Sequence, residues 1–245
     1  MHKVPVISRE EMLGLGSRLK AKNIIVSTRA DKWESTDQYE NAISKLPMFH
    51  PKRIILLSSV SVYGDNKLPR TEDAELVPVT KYGRSKVFEE QVLLRNNPES
   101  CELSILRISN VFGHRFFDDF VNQVFLSAKL SDPVCLIDQG RTTRNFIWLK
   151  DLVNILFQLL NLEILPRYLN IGSSTSINLQ SLIVEIELIL EKRITIEGTS
   201  GDLDIAANSI IDTTQLNKLL NYKSTEIVLA LQNYFLENSD LASSS

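Results

Sequence analysis

Apolar residues along this chain fall into two patterns, short uninterrupted runs and longer stretches at helical spacing. Residues 23–27, 53–57, 102–107 and 134–137 are the short runs and read as strands. The run Arg53-Ile54-Ile55-Leu56-Leu57 has no polar alternation, the pattern of a parallel strand covered on both faces. Between the runs lie helical stretches. Residues 81–94 favour helix, with Thr80 as N-cap and Pro78 closing the loop before it. Phe117, Val121, Val124, Phe125 and Ala128 share one face of a helix over 118–130. Further helices are predicted over 152–160, 179–190, 212–220 and 225–235. Ser8-Arg9-Glu10-Glu11 has the form of a capping box opening a helix to about Leu19, weakened by Gly14 and Gly16. Strands alternating with helices predict an α/β fold, a doubly wound parallel sheet with a smaller C-terminal lobe.

Composition narrows the picture. A chain of 245 residues with 43% hydrophobic content can bury a substantial core. Its net charge of -3 with mixed signs gives no basic stripe, which argues against nucleic acid as a partner. No apolar run approaches the length of a membrane span, and Arg9, Glu10 and Glu11 interrupt any signal sequence, so a soluble cytoplasmic protein without membrane insertion is predicted. Cys101 and Cys135 sit in strand-like runs without ligand or redox spacing and read as buried thiols. No residue pattern suggests a metal site.

The candidate chemistry gathers after the run at 53–57. Ser58-Ser59-Val60-Ser61-Val62-Tyr63-Gly64-Asp65 follows it, then Thr71-Glu72-Asp73, then Tyr82-Gly83-Arg84-Ser85-Lys86 at the start of the helix. Ligands bind at the carboxyl ends of strands in open α/β sheets. Tyr82 and Lys86 are one helical turn apart, so an ammonium beside the phenol is expected to lower its pKa and fit it for proton transfer. A Tyr-x-x-x-Lys alone occurs by accident in roughly one chain in three of this composition. The whole arrangement carries the signal. It resembles the extended short-chain dehydrogenase/reductases, in particular the NAD-dependent sugar-nucleotide epimerases, dehydratases and reductases.

That resemblance implies a Rossmann-like fold and a Ser59, Tyr82 and Lys86 catalytic group, with Thr28, Asn41, Ser58, Tyr82 and Lys86 on the NAD or NADP side. Ser61, Asn110 and Arg144 would face a nucleoside-diphosphate sugar, the last two at its diphosphate. The segment Ser109-Asn110-Val111-Phe112-Gly113 is similar to the family's Asn-Val-Tyr-Gly loop, and Arg144-Asn145-Phe146-Ile147-Trp148 to its Arg-Asp-Phe-Ile-Tyr. Asn41 reads equally as an exposed helical residue, Asn110 also as the shaper of a turn, and Asp151 as a helix cap. The implied activity is an epimerase or reductase in surface-polysaccharide sugar synthesis, and no residue decides between the two. Val60-Ser61 after Ser59 replace the Asp-Glu pair of a dehydratase. A second copy of the chain is a candidate partner.

Residues 1–112 with part of 134–170 would form the nucleotide core, 113–133 and 171–240 the substrate lobe, and 241–245 a polar tail. The usual opening strand, glycine-rich turn and helix have no convincing counterpart. Gly14-Leu15-Gly16-Ser17 follows no strand and lacks a third glycine, and Ser200 and Thr199 replace an arginine and proline of the family before Gly201-Asp202. The nucleotide core is thus expected to be N-terminally incomplete, with the missing part encoded upstream, weak NAD binding and a tendency to associate. A catalytically inactive fragment or pseudoenzyme that binds sugar nucleotide or a partner subunit is the alternative reading.

Overall fold

The computed structural model describes residues 21–113, 119–137, 140–199 and 208–238. The capping box at Ser8, the Gly14–Gly16 turn, Phe117, Gly201-Asp202 and the polar tail lie outside these residues. In chain order the strands are β1 (Asn23–Val26), β2 (Arg53–Ser59), β3 (Asn66–Arg70), β4 (Glu102–Ile108), β5 (Asn110–Phe112), β6 (Val134–Ile137), β7 (Thr143–Trp148), β8 (Tyr168–Ile171), β9 (Ser176–Asn178), β10 (Ile196–Thr199) and β11 (Ser209–Ile211). The helices are α1 (Thr36–Ile43), α2 (Lys81–Asn96), α3 (Phe120–Leu130), α4 (Leu149–Asn161), α5 (Leu179–Leu190), α6 (Thr214–Leu220) and α7 (Ile227–Glu237).

The main sheet is parallel, in the order β1-β2-β4-β8. It is covered on both faces, as the unbroken apolar runs of β2 and β4 require. One face packs Ile54, Leu56, Leu103 and Ile105 against Tyr39, Ile43 and Leu93 of α1 and α2. The other packs Ile55, Leu106 and Leu169 against Ile155 and Leu159 of α4 and Leu216 of α6. Among the described residues β1 is an edge strand, and Ile25 on it is 38% exposed.

A second core lies beyond this sheet. Phe112, Val121, Val124 and Phe125 pack there with Leu182, Ile186, Leu231 and Tyr234, joining α3, α5 and α7. The parallel pair β6 and β10 lies beside it, since Val134 and Leu136 belong to this core. A mixed sheet, β3-β11-β7-β5 with β9 antiparallel on β7, connects the two lobes. Its three-residue strands β5, β9 and β11 are too short to show a period in sequence, and residues 110–112, expected as a loop, pair with β7.

Two expectations are corrected. Cys135 is exposed, because successive residues of β6 face opposite ways and Val134 and Leu136 take the core side. Asp151 does not cap its helix, which begins at Leu149. Its carboxylate instead accepts hydrogen bonds from the Thr225 backbone N–H (2.9 Å) and hydroxyl (3.0 Å) ahead of α7.

Candidate active site

The site is built where β2 ends and α2 begins. Ser59 leaves β2 and caps the short 3-10 turn Val60–Tyr63, its Oγ accepting from the Ser61 N–H at 3.2 Å and donating to the Ser61 hydroxyl at 3.1 Å. Thr80 then starts α2, its hydroxyl accepting from the Gly83 N–H at 2.8 Å. Gly83 is required for the approach of helix to turn. A Cβ there would stand 2.5 Å from the Ser61 carbonyl oxygen. This close seating brings the half-exposed Tyr82 over the turn, near enough to Ser59 for the serine hydroxyl to lower the phenol's pKa. Ser59, Ser61 and Tyr82 are therefore together at the carboxyl end of the central strands.

Lys86 lies one turn further along α2 and is buried, with its Nζ 5.9 Å from the centre of the Tyr82 ring. An ammonium has three hydrogens to donate. Lys86 gives them to the Thr28 carbonyl (2.5 Å), the Leu57 carbonyl (3.1 Å) and Glu89 Oε2 (2.9 Å). Glu89 is fully buried and also accepts from the Ala30 N–H at 2.6 Å and the Thr28 hydroxyl at 3.1 Å. The Thr28 hydroxyl further shares a hydrogen bond with the Tyr39 hydroxyl at 3.3 Å.

The electrostatics reverse the direction expected from Lys86 alone. Burial pushes the Tyr82 phenol above its ordinary value; the Ser59 hydroxyl opposes this, the Glu89 carboxylate adds to it, Arg29 opposes it and Asp31 adds to it. Burial outweighs the rest, and the charge of Lys86, which would act the other way, is met by Glu89 at 2.9 Å. The Arg29 guanidinium lies over the Tyr82 ring, 5.0 Å from its centre, and pairs with Asp31 at 2.8 Å. Loss of a proton from Tyr82 therefore costs more than in an exposed tyrosine.

Other candidates are placed differently from one another. Ser58 is buried and turned away from Tyr82, donating to Glu90 Oε1 at 2.5 Å. It supports the site from behind, because alternate residues of a strand face opposite sides. Asn41 is exposed on α1, the solvent-facing arrangement, while Tyr39 and Ala42 take that helix's buried side. Asn110 spends its amide hydrogens on the Asn145 carbonyl (2.7 Å) and the Ser209 hydroxyl (3.1 Å). Arg144 on β7 is half-buried and pairs in register with Ser209. The Asn110 side chain and the Arg144 backbone thus meet one residue of β11, on the connecting sheet.

The sequence reading missed several supporting residues. Glu90 receives Arg107 through Nε (3.2 Å) and Nη2 (2.9 Å), and Arg107 Nη1 reaches the Tyr63 hydroxyl (3.0 Å) and the Glu72 carbonyl (2.9 Å). Asn170 on β8 accepts from the Tyr63 hydroxyl at 2.8 Å and donates from its backbone to Glu72 at 2.9 Å. These bonds explain Tyr63 and the Thr71-Glu72-Asp73 segment as framework for the β2 end. The signal for Glu89 and Glu90 was their spacing of three and four from both Lys86 and Leu93, which puts them on α2's inward face.

The residues at this end of the sheet suit the nicotinamide side of a dinucleotide: a phenol and a serine hydroxyl stand together, and a lysine is adjacent. Lys86 could hold a ribose hydroxyl only by releasing one of its present acceptors, since all three hydrogens are committed. Among the described residues there is no cluster suited to a metal ion, and no helix is long and apolar enough to cross a membrane.

Known proteins similar to this chain define its family. Residues 33–172 match the NAD dependent epimerase/dehydratase family. The chain is 35% identical over 178 residues to dTDP-4-dehydro-6-deoxyglucose reductase of Escherichia coli, covering 71% of this chain and 54% of that enzyme. It is 27% identical over 158 residues to an N-acetyl-alpha-D-glucosaminyl-diphospho-ditrans,octacis-undecaprenol 4-epimerase of Escherichia coli O157:H7, covering 63% and 47% of the two chains. The chain spans about half the length of these curated relatives. Among solved structures, UDP-glucose 4-epimerase of Thermotoga maritima with UDP-glucose superposes with a TM-score of 0.78 at 20% identity, over 94% of this chain and 82% of that one. A point mutant of UDP-glucuronic acid 4-epimerase of Bacillus cereus, in complex with a fluorinated UDP-sugar and NAD, gives 0.80 at 19% identity, over 96% and 81%. The structural likeness concerns the fold, and the sequence match carries the relationship: the chain belongs to the NAD dependent epimerase/dehydratase family.

Proposed function

We propose that this chain is an NAD(P)-dependent enzyme of nucleoside-diphosphate sugars, in which Tyr82 exchanges a proton with a sugar oxygen while the attached carbon changes oxidation state. The observation that carries the reading is Tyr82 at the start of the helix facing Ser59 at the strand end, close enough for the serine hydroxyl to draw its pKa down, with Lys86 one helical turn away. A nicotinamide cofactor, when bound, supplies or accepts the hydride. Ser59 orients the phenol and shares its proton. Burial keeps the Tyr82 phenol protonated in the unliganded site, so its proton is available to a sugar keto oxygen as that oxygen becomes an alkoxide. That is the proton step of a reductase and of the second half of an epimerisation. The reductase and epimerase relatives support this range of reactions. Asn110 and Arg144 would meet the diphosphate, for which a guanidinium fork is suited.

The test is conversion of dTDP- and UDP-linked hexoses and their 4-keto forms, followed by proton NMR with NAD, NADH, NADP or NADPH. Turnover that falls on the order of 10²-fold or more in Tyr82→Phe is expected. Retained sugar-nucleotide binding without conversion of any substrate, in a preparation that also binds dinucleotide, would overturn the enzymatic reading in favour of a binding protein.

A further inference from the structure

The buried carboxylate of Glu89 has no part in the proton transfer just described, yet it ties Lys86 to the segment that leaves β1. It lies three residues after Lys86 and is fully buried with it, the two joined at 2.9 Å. Its other bonds go to the Thr28 hydroxyl and the Ala30 N–H, in the segment that leaves β1. A leucine here would satisfy the helix equally well. Burying a carboxylate costs several kcal/mol unless it is paired and hydrogen-bonded, so its presence calls for a reason.

We propose that Glu89 is a positioning residue of the Ser59–Tyr82–Lys86 site: it takes up the charge of Lys86, pins that ammonium against the end of β1, and keeps Tyr82 a protonated donor. The inference rests on the reading of Tyr82 as the proton-transferring group. Lys86 and Glu89 together present no net charge to the phenol, where Lys86 alone would favour the phenolate. The remaining groups around them are few. Arg29 and Asp31, between β1 and α1, form their own pair beside Tyr82, and Tyr39 of α1 meets Thr28. On the next position of α2, Glu90 is matched by Arg107. Glu89 is thus the carboxylate that decides whether the lysine's charge reaches Tyr82. Burial raises the Glu89 carboxyl above its ordinary value, against the pull of Lys86, the Ala30 N–H and the Thr28 hydroxyl, so its ion pair with Lys86 rests on the 2.9 Å contact.

The pairing also bears on ligand entry. A ribose hydroxyl approaching Lys86 must displace the Thr28 or Leu57 carbonyl or the Glu89 carboxylate. Of these three, Glu89 is the bond a substitution can remove without altering the backbone. Glu89→Gln is accordingly expected to change dinucleotide affinity as well as the phenol.

The experiment reads the Tyr82 proton directly and needs no turnover. Protein labelled with carbon-13 at tyrosine Cζ is titrated by NMR from pH 8 to 11.5, the Tyr82 resonance being identified by its loss in Tyr82→Phe. Glu89→Gln should lower the Tyr82 midpoint by about one pH unit, the low end of the effect of an unpaired neighbouring charge. The double variant Glu89→Gln/Lys86→Met, which removes both charges, should return it to within about half a unit of the wild type. A purely structural Glu89 would lower the melting temperature and leave the midpoint where it was, and that result in a folded Glu89→Gln protein overturns the proposal. If Glu89→Gln does not fold, the double variant decides alone, a rise of more than about one unit counting against the proposal. Failure here leaves the enzymatic reading standing, because conversion of sugar nucleotide is measured separately.

Discussion

Arg107→Met is expected to destabilise the protein by about 3 to 5 kcal/mol, because it removes one partner of a buried ion pair and leaves the other charged. The structure shows why the loss should fall in that range. Arg107 and Glu90 have side chains only 4% and 3% exposed and meet at 2.9 Å, so water can replace neither partner. The guanidinium also bonds the Tyr63 hydroxyl and the Glu72 carbonyl, and it lies 5.0 Å from the Tyr63 ring centre and 4.7 Å from that of Tyr168. Methionine recovers part of the packing and none of these bonds. Glu90 would keep only the Ser58 hydroxyl among its described side-chain partners. In a chain of this size each kcal/mol moves the melting temperature by about 2 to 4 °C, so a fall of roughly 6 to 20 °C is expected. Urea unfolding followed by circular dichroism measures the change, with an unchanged m-value showing that the folded state was the one altered. Adding Glu90→Leu should restore a large part of the loss, since the unpaired carboxylate is then gone. A single variant within about 1 kcal/mol of wild type would refute the reasoning and mean that the pair is solvated through local opening.

Other outcomes follow from the same geometry. Stability should fall as pH rises above about 10, the ordinary tyrosine value, because buried tyrosines bind their proton more tightly folded than unfolded. Tyr234 is pushed up to about 12 by burial and Tyr39 and Tyr222 are raised as well, so a urea midpoint that stays flat between pH 9 and 11 would contradict these burials. Thr80→Ala should cost about 1 kcal/mol by removing the hydroxyl that caps α2 at the Gly83 N–H, measured by thermal melting. Arg144→Ala should weaken sugar-nucleotide binding by roughly 1.5 to 3 kcal/mol in calorimetry while free hexose binding is unchanged, and equal affinities would assign Arg144 to the sheet alone.

Much of the site was legible in sequence because its parts are local. The apolar run of β2 requires a covered parallel strand, Thr80 and the residues after it require a helix, and four-residue spacing puts Tyr82 and Lys86 on one face whatever surrounds them. Ser59 and Ser61 follow from the turn that leaves the strand. The partners of these groups were not legible. Glu89 and Glu90 on a helix resemble solvent-facing charge, and their burial depends on Thr28 and Ala30, which lie 61 and 59 residues away in the chain, and on Arg107 from β4. A longer stretch of 99 residues separates Asn110 from Ser209, across three-residue strands that carry no period of their own. Sequence thus determined which groups are candidates for the chemistry. Tertiary structure decided which charge each one sees, because in a buried site the field at Tyr82 is set by neighbours that only packing brings within a few ångströms.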